Sequence, residues 1–319
     1  MKLITKKLIS IIGILIILTT NFYFWKSDYS AILAYSPKKF TKEFQNEIYG
    51  HNFDYIHNPG LKICAGNQSH LMVIAFVCSS PKNFYQRKLI RQTWAQKSLF
   101  GKYLRVVFLL ADPQNKTIDE EVKKEYEQYS DIVQENFIDS YRNLSLKTIM
   151  GFRWVTHFCP KAKYVLKIDD DVVVNTKSVI KYLCKREESK KNSNDAIIGK
   201  FIRNPKPKRT KKSKFYVSFE EYDKNYFYPY CQGLSYLATN GLAAQLFNVS
   251  KYKKPFIFED VYVGMLAHMI GAKFESINPK IITKLPAKMN KKTIETNFFI
   301  LARSNKMFLT IWNYFYQKK

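Results

Sequence analysis

The stretch KYVLKIDDDVVVN, residues 163–175, decides how the rest of the chain is read. Tyr164 to Ile168 is an apolar run of strand length. Asp169, Asp170 and Asp171 follow it directly, and Val172 to Val174 resumes the apolar pattern. Three adjacent carboxylates repel one another, so their place between two hydrophobic segments calls for a cation. An Asp-x-Asp pair at a strand end, Asp169 and Asp171, suits a hard divalent ion such as Mg2+ or Mn2+, which takes oxygen ligands and keeps positions for phosphate oxygens. The competing reading is a solvated acidic turn, or the capping region of a helix starting near Thr176. The strand before the cluster and VVVN after it favour the metal.

Outward from this stretch the pattern alternates. LMVIAFV (71–77), LRVVFLLA (104–111), DIVQE (131–135), YVLKI (164–168) and AIIG (196–199) read as strands. FYQRKLIRQTW (84–94), TIDEEVKKEYEQY (117–129), LSLKTIMGFRWVTHF (144–158) and TKSVIKYLCKR (176–186) read as helices between them. Such alternation predicts an α/β sheet with helices on both faces. Ligands of these sheets gather at the carboxyl ends of the strands, where the three aspartates fall. FEDVYVGMLAH (258–268) supplies a second acidic point, Glu259 and Asp260, at the start of a helix. An acid there is either a partner of the helix dipole or a general base. Arg87 and Arg91 stand four apart on one helical face, either as surface charges or as a pair that reaches a diphosphate. Trp94 reads as core.

The 319 residues carry 52 basic and 26 acidic side chains, a formal charge of +26, which suggests an anionic partner. Lys2, Lys6 and Lys7 precede LISIIGILIILTTNFYFW (8–25), which has no charge. As a helix those residues reach about 27 Å, close to a bilayer core of about 30 Å. The expected organisation is a cytoplasmic tail (1–7), a signal-anchor transmembrane helix (8–25), a lumenal stem (26–69) and a catalytic domain (70–319). The alternative is a signal peptide cleaved near AILA (31–34), and the length of the apolar run favours the anchor. Lumenal placement argues against nucleic acid as the partner. It also gives meaning to the sequons at Asn67, Asn115, Asn143 and Asn248. Five cysteines leave at least one without an intrachain partner, and no zinc pattern is present. KFIRNPKPKRTKKSK (200–214) holds eight basic residues and no acid, which reads as a solvated loop or as a contact for an acidic acceptor or membrane headgroups.

RKLIRQTW (87–94), FLLA (108–111), DIVQENFIDSYRNLSLKT (131–148), KYVLKIDDDVVVN (163–175), FYVSFEEY (215–222), FYPYCQGLSYLAT (227–239) and EDVYVG (259–264) together resemble the β-1,3-glycosyltransferases of the galactosyltransferase type, family 31. The resemblance implies a GT-A fold, a Rossmann-like nucleotide-sugar-binding α/β domain. It also implies a type II Golgi membrane protein that uses Mn2+ or Mg2+ and inverts the sugar linkage of a UDP-sugar donor. Carried over residue by residue, it implies Asp171 and Asp169 on the metal and Asp260 as base. Arg87, Arg91, Asp169, Asp170, Asn143 and Lys147 fall on the nucleotide-sugar side, with Glu259, Gly233 and Trp94 in support. The departures are mild: Phe227 and Tyr228 stand in FYPYC where the family commonly has YPPYC. The expected donor is UDP-galactose and the expected acceptor a glycan on a glycoprotein or glycolipid. UDP-N-acetylglucosamine, UDP-N-acetylgalactosamine and a catalytically silent glycan-binding role are the alternatives.

Overall fold

Strand β2 (Val73–Cys78) is buried at all six positions, because sheet neighbours flank it and helices cover both its faces. The computed structural model describes residues 47–65, 70–189, 195–278, 280–282 and 294–316. The main sheet has eight strands in the order β1-β4-β3-β2-β5-β8-β7-β9. Its core is parallel: β3 (Leu104–Asp112) lies beside β2, β4 (Ile132–Ile138) beside β3, and β5 (Tyr164–Asp169) on the other side of β2. The helices between these strands are α1 (Phe84–Gln92), the short α2 (Lys97–Phe100), α3 (Lys116–Tyr129) and α4 (Leu144–Phe158). Helix α4 comes close enough to the sheet that a Cβ on Gly151 would lie 2.7 Å from Leu109 Cδ1 and 2.9 Å from Phe76, so only glycine fits there.

The chain steps outward from β2 to β3 to β4, then crosses back to β5. The reversal point lies between β2 and β5, where Cys78 and Asp169 are register partners at the carboxyl ends. This is where open α/β sheets bind ligands. After α5 (Thr176–Glu188) the sheet turns mixed. Strand β8 (Tyr230–Thr239) runs antiparallel to β5, with Ile168 opposite Ser235, so its amino end meets the carboxyl end of β5. Strand β7 (Ala196–Ile202) pairs antiparallel with β8, and β9 (Lys273–Ser276) pairs parallel with β7. Helices α6 (Asn240–Ser250) and α7 (Glu259–Met269) follow β8.

The nine strands and helices read from the sequence between residues 71 and 199 all form. Two features differ from that reading. VVV (172–174) is strand β6 of a separate three-stranded sheet, paired antiparallel with β11 (Phe299–Leu301), which lies parallel to β10 (Ile281–Ile282). The C-terminal segment therefore supports the aspartates directly, and Ala302 N donates to Asp171 O at 2.8 Å. It ends in α8 (Asn305–Tyr316).

The stem expected through residue 69 also ends earlier. Strand β1 (Tyr55–His57) extends the sheet antiparallel to β4, and Trp154 Nε1 donates to Asn58 Oδ1 at 2.9 Å. His51 Nε2 lies 2.6 Å from Glu135 Oε2, and Cys64 is disulfide-bonded to Cys159 across 95 residues. The partners of these residues are distant in sequence, which is why the segment reads as irregular by itself. Among the described residues no helix is long and apolar enough to cross a membrane. The span expected at 8–25 and the sequon at Asn67 lie outside the described residues.

Candidate active site

The three aspartates leave β5 in different directions, and each meets a different environment. Asp170 turns to the loop after β2: its Oδ2 accepts from Ser79 Oγ at 2.6 Å and from Asn83 Nδ2 at 2.9 Å. Asp169 lies two residues beyond Lys167 on the same strand, so both face one side of the sheet. Lys167 Nζ donates to Asp169 Oδ1 at 2.6 Å. Asp171 Oδ1 is buried without a hydrogen-bond partner. Burial, with Asp169 and Asp170 as like charges, pushes the Asp171 carboxyl up to about 7.

Lys167 joins the two acidic segments. Its Nζ also donates to Gly233 O and lies 3.5 Å from Glu259 Oε2. The amide of the same glycine donates to Asp260 Oδ2 at 3.1 Å. One lysine and one glycine thus connect Asp169 to Asp260. A Cβ on residue 233 would come within 2.9 Å of Glu259 Oε2, so glycine lets β8 approach the start of α7. Glu259 is buried and accepts from Tyr236 OH at 2.7 Å and Thr148 Oγ1 at 3.0 Å. Burial tends to lower the Lys167 ammonium, but Asp169 and then Glu259 outweigh it and hold it well above its usual range. Burial raises Glu259 and Asp260 above the usual carboxylate range, opposed for Asp260 by the Gly233 and Val261 amides. A carboxylate so raised is a stronger base, which suits proton abstraction.

Arg87 and Arg91 share a helical face as expected, but neither guanidinium is left for a diphosphate. Buried Arg87 grips Glu125 through Nε and Nη2 (2.6–3.0 Å) and donates to the carbonyls of Ser80 at 2.7 Å and Pro81 at 2.8 Å. Arg91 forks onto Asp131 at 2.7 and 2.8 Å, reaches Glu125 at 2.7 Å and sits between the rings of Phe108 and Tyr129. Arg87 thereby shapes the loop that carries Ser79 and Asn83, and Arg91 braces its partner Glu125. Lys147 serves the same loop, donating to Ser79 O at 2.7 Å and pairing with Asp139 at 3.0 Å. Asn143 Nδ2 donates to Ile138 O at 2.8 Å, where β4 turns toward α4. Trp94 is fully buried, and its carbonyl accepts from Thr176 Oγ1 at 2.8 Å. Of the other sequons, Asn115 caps α3 by accepting from Ile118 N at 3.1 Å, and Asn248 lies within α6.

Lys167, Thr148, Tyr236, Ser79 and Asn83 were not singled out in the sequence. Lys167 was findable, as a lone charge inside an apolar strand two positions before an aspartate. The others depend on contacts between segments 23 to 111 residues apart.

Among the described residues no three His, Cys, Asp or Glu side chains form a cation cage. Mg2+-type sites need none, because they rely on one or two carboxylates together with substrate phosphates and water. The unpartnered Asp171 oxygen fits that use, with Asp169 beside it.

The sequence model of the family described as Galactosyltransferase matches residues 85–278. The chain is 33% identical over 241 residues to the mouse protein named UDP-GalNAc:beta-1,3-N-acetylgalactosaminyltransferase 1, covering 70% of each chain. It is 35% identical over 213 residues to human Beta-1,3-galactosyltransferase 5, covering 66% of this chain and 67% of that one. Among solved structures, a galactosyltransferase with donor and acceptor sugar analogues aligns with a TM-score of 0.37 and 10% identity, over 73% of this chain and 88% of that chain.

Proposed function

Because the chain belongs to the galactosyltransferase family, we propose that it transfers a hexose or N-acetylhexosamine from a UDP-sugar to a glycan hydroxyl in β-1,3 linkage. The observation that supports this reading is the Asp169–Lys167–Gly233–Asp260 connection, which joins the acidic end of β5 to the acidic start of α7 at the reversal point of the sheet. In the proposed step Asp260 takes the proton of the acceptor hydroxyl. That oxygen bonds to the sugar's C1 as the bond from C1 to the phosphate oxygen breaks, and UDP leaves with the electron pair. A single displacement of this kind inverts the linkage. Asp171 and Asp169 would hold a divalent cation, whose charge stabilises the diphosphate leaving group. Ser79 and Asn83 hold Asp170 in place, and Lys167 keeps Asp169 and Asp260 in register.

The two relatives named above differ in sugar: one is named for N-acetylgalactosamine and one for galactose. UDP-galactose and UDP-N-acetylgalactosamine therefore stand together as the proposed donors. A type II Golgi placement, anchored by residues 8–25, is part of the same proposal. The test is a panel of UDP-sugars offered to the full-length protein in detergent with neutral glycan acceptors. Transfer from one of them, abolished by EDTA and restored by Mn2+ or Mg2+, is the expected result. Failure of every donor overturns the reading.

A further inference from the structure

The basic stretch 200–214 has no part in the chemistry above, and it is not a loose tail. Arg209 pins it: Nη1 donates to the carbonyls of Val217 at 2.9 Å and Ser218 at 2.7 Å, and Nη2 to those of Tyr222 at 2.7 Å and Lys224 at 3.0 Å. Its guanidinium also lies 4.0 Å from the centre of the Phe219 ring. Lys208 bridges to Tyr216, and Val217 N donates to Lys208 O at 3.0 Å. With the stretch folded back in this way, Arg203, Lys206, Lys208, Lys211, Lys212 and Lys214 are all exposed. Three large rings are exposed on the same folded-back segment: Phe215, Phe219 and Tyr226. Lys214 Nζ lies 4.7 Å from the centre of the Phe215 ring and Lys206 Nζ 5.3 Å from that of Tyr226, so exposed cations and exposed rings stand side by side on this segment.

The place of this surface matters as much as its composition. Phe215 meets Phe258 edge to face at 5.9 Å, and Phe258 immediately precedes Glu259 and Asp260. Glu221 pairs with Arg142 at 3.1 Å, which ties the segment to the turn that carries exposed Tyr141. Beneath it Val217, Tyr222 and Phe227 pack with Val261 and Met265 of α7, the helix whose first turn holds the base. The surface therefore adjoins the Asp260 end of the site, where an acceptor must enter.

We propose that this face is the docking surface for a negatively charged acceptor glycan, one bearing a sulfate or carboxylate group on or near the sugar that receives the transferred residue. The exposed parts of the rings offer apolar surface for the C–H groups of the sugars, and the exposed lysines select the charge. This deepens the transferase reading and rests on it. An anionic membrane surface is the competing occupant. Charge complementarity alone serves either, and the position beside Asp260 favours the glycan.

The test compares lactose with 6′-sulfolactose, which differ by one charge and leave the same 3′-hydroxyl open, using the full-length protein in neutral detergent. For the wild type, KM is expected to be lower for the sulfated acceptor, and rising salt is expected to erase the difference. The variant K211E/K212E/K214E is expected to raise KM for 6′-sulfolactose about tenfold while KM for lactose and for the donor stays within about twofold. An unchanged melting midpoint shows that the variant folds. Equal KM values for the two acceptors in the wild type overturn the proposal. Loss of co-sedimentation with phosphatidylserine vesicles and no change in acceptor KM also overturn it and assign the face to a membrane. Titration of the same two sugars without donor separates the two readings. Salt-sensitive binding of 6′-sulfolactose with no transfer from any donor keeps the docking face and rejects the transferase, and transfer without charge preference does the reverse.

Discussion

Two clusters of charge meet at the Ser79–Asn83 loop, and they are built on different terms. In the cluster of Arg87, Arg91, Glu125 and Asp131, every guanidinium nitrogen donates to a carboxylate, a hydroxyl or a carbonyl. Two cations face two acids, and the cluster is closed. In the other, Asp169, Asp170, Asp171, Glu259 and Asp260 gather with Lys167 as their contacting ammonium among the described residues, and Asp171 Oδ1 has no partner. That cluster is open. The closed one stabilises the fold and shapes a loop. The open one holds five acids against one ammonium and leaves a buried oxygen without a partner. What separates the two is the chemistry left unsatisfied, since both are rich in charge but only the first balances it within itself.

The contrast can be broken at its strongest point first. Asp260→Asn is expected to lower transfer by about 10³-fold, with the melting midpoint and UDP binding nearly unchanged, because the substitution removes the proposed base and keeps the shape. Steady-state kinetics beside a thermal melt check this, and retention of activity removes Asp260 from the chemistry. Next, Arg87→Met opens the closed network and leaves Glu125 without its fully buried partner. Loss of one member of a buried ion pair costs about 3 kcal/mol or more, read by urea denaturation. A drop below about 1 kcal/mol would mean that the network stabilises the fold no more than an exposed ion pair does.

Asp171→Asn is expected to weaken Mn2+-dependent UDP binding by at least about 10–100-fold in calorimetry, with no loss of stability in the metal-free protein. The smallest effect is a pH slope. Folded Asp171 keeps its proton up to about pH 7, whereas an unfolded aspartate loses it near about 4. Between those values the folded chain binds the more protons, so metal-free stability falls as pH rises. Melting midpoints taken in EDTA from pH 5 to 8 are expected to decline, and both saturating Mn2+ with UDP and the Asp171→Asn substitution are expected to flatten the decline.

The order of strands and helices from 71 to 199 and the place of the three aspartates at a strand end were legible in the sequence. So was the acidic start of α7. Those features are local: apolar runs of strand length, helical periodicity and acids next to them. The arginines at 87 and 91 were legible as a pair but not in their employment, because Glu125 and Asp131 are 34 to 40 residues away and nothing in the spacing assigns them. The pairing of Phe299–Leu301 with Val172–Val174 sets the exit of the aspartate segment, and no local pattern in the sequence assigns it.

By itself, then, the sequence determined the family, the alternating sheet and the acidic residues of the candidate site, since these follow from periodicity and from motifs that run along the chain. Tertiary structure alone decided which charges are spent and which are left over. It gave Asp170 to Ser79 and Asn83, Asp169 to Lys167, and Asp260 to the Gly233 amide, and it left Asp171 with an unmatched oxygen. The physical reason is that burial and hydrogen bonding are properties of neighbours in space. A carboxylate becomes reactive, inert or metal-seeking according to what surrounds it, and in this chain those surroundings come from strands and helices far apart in sequence.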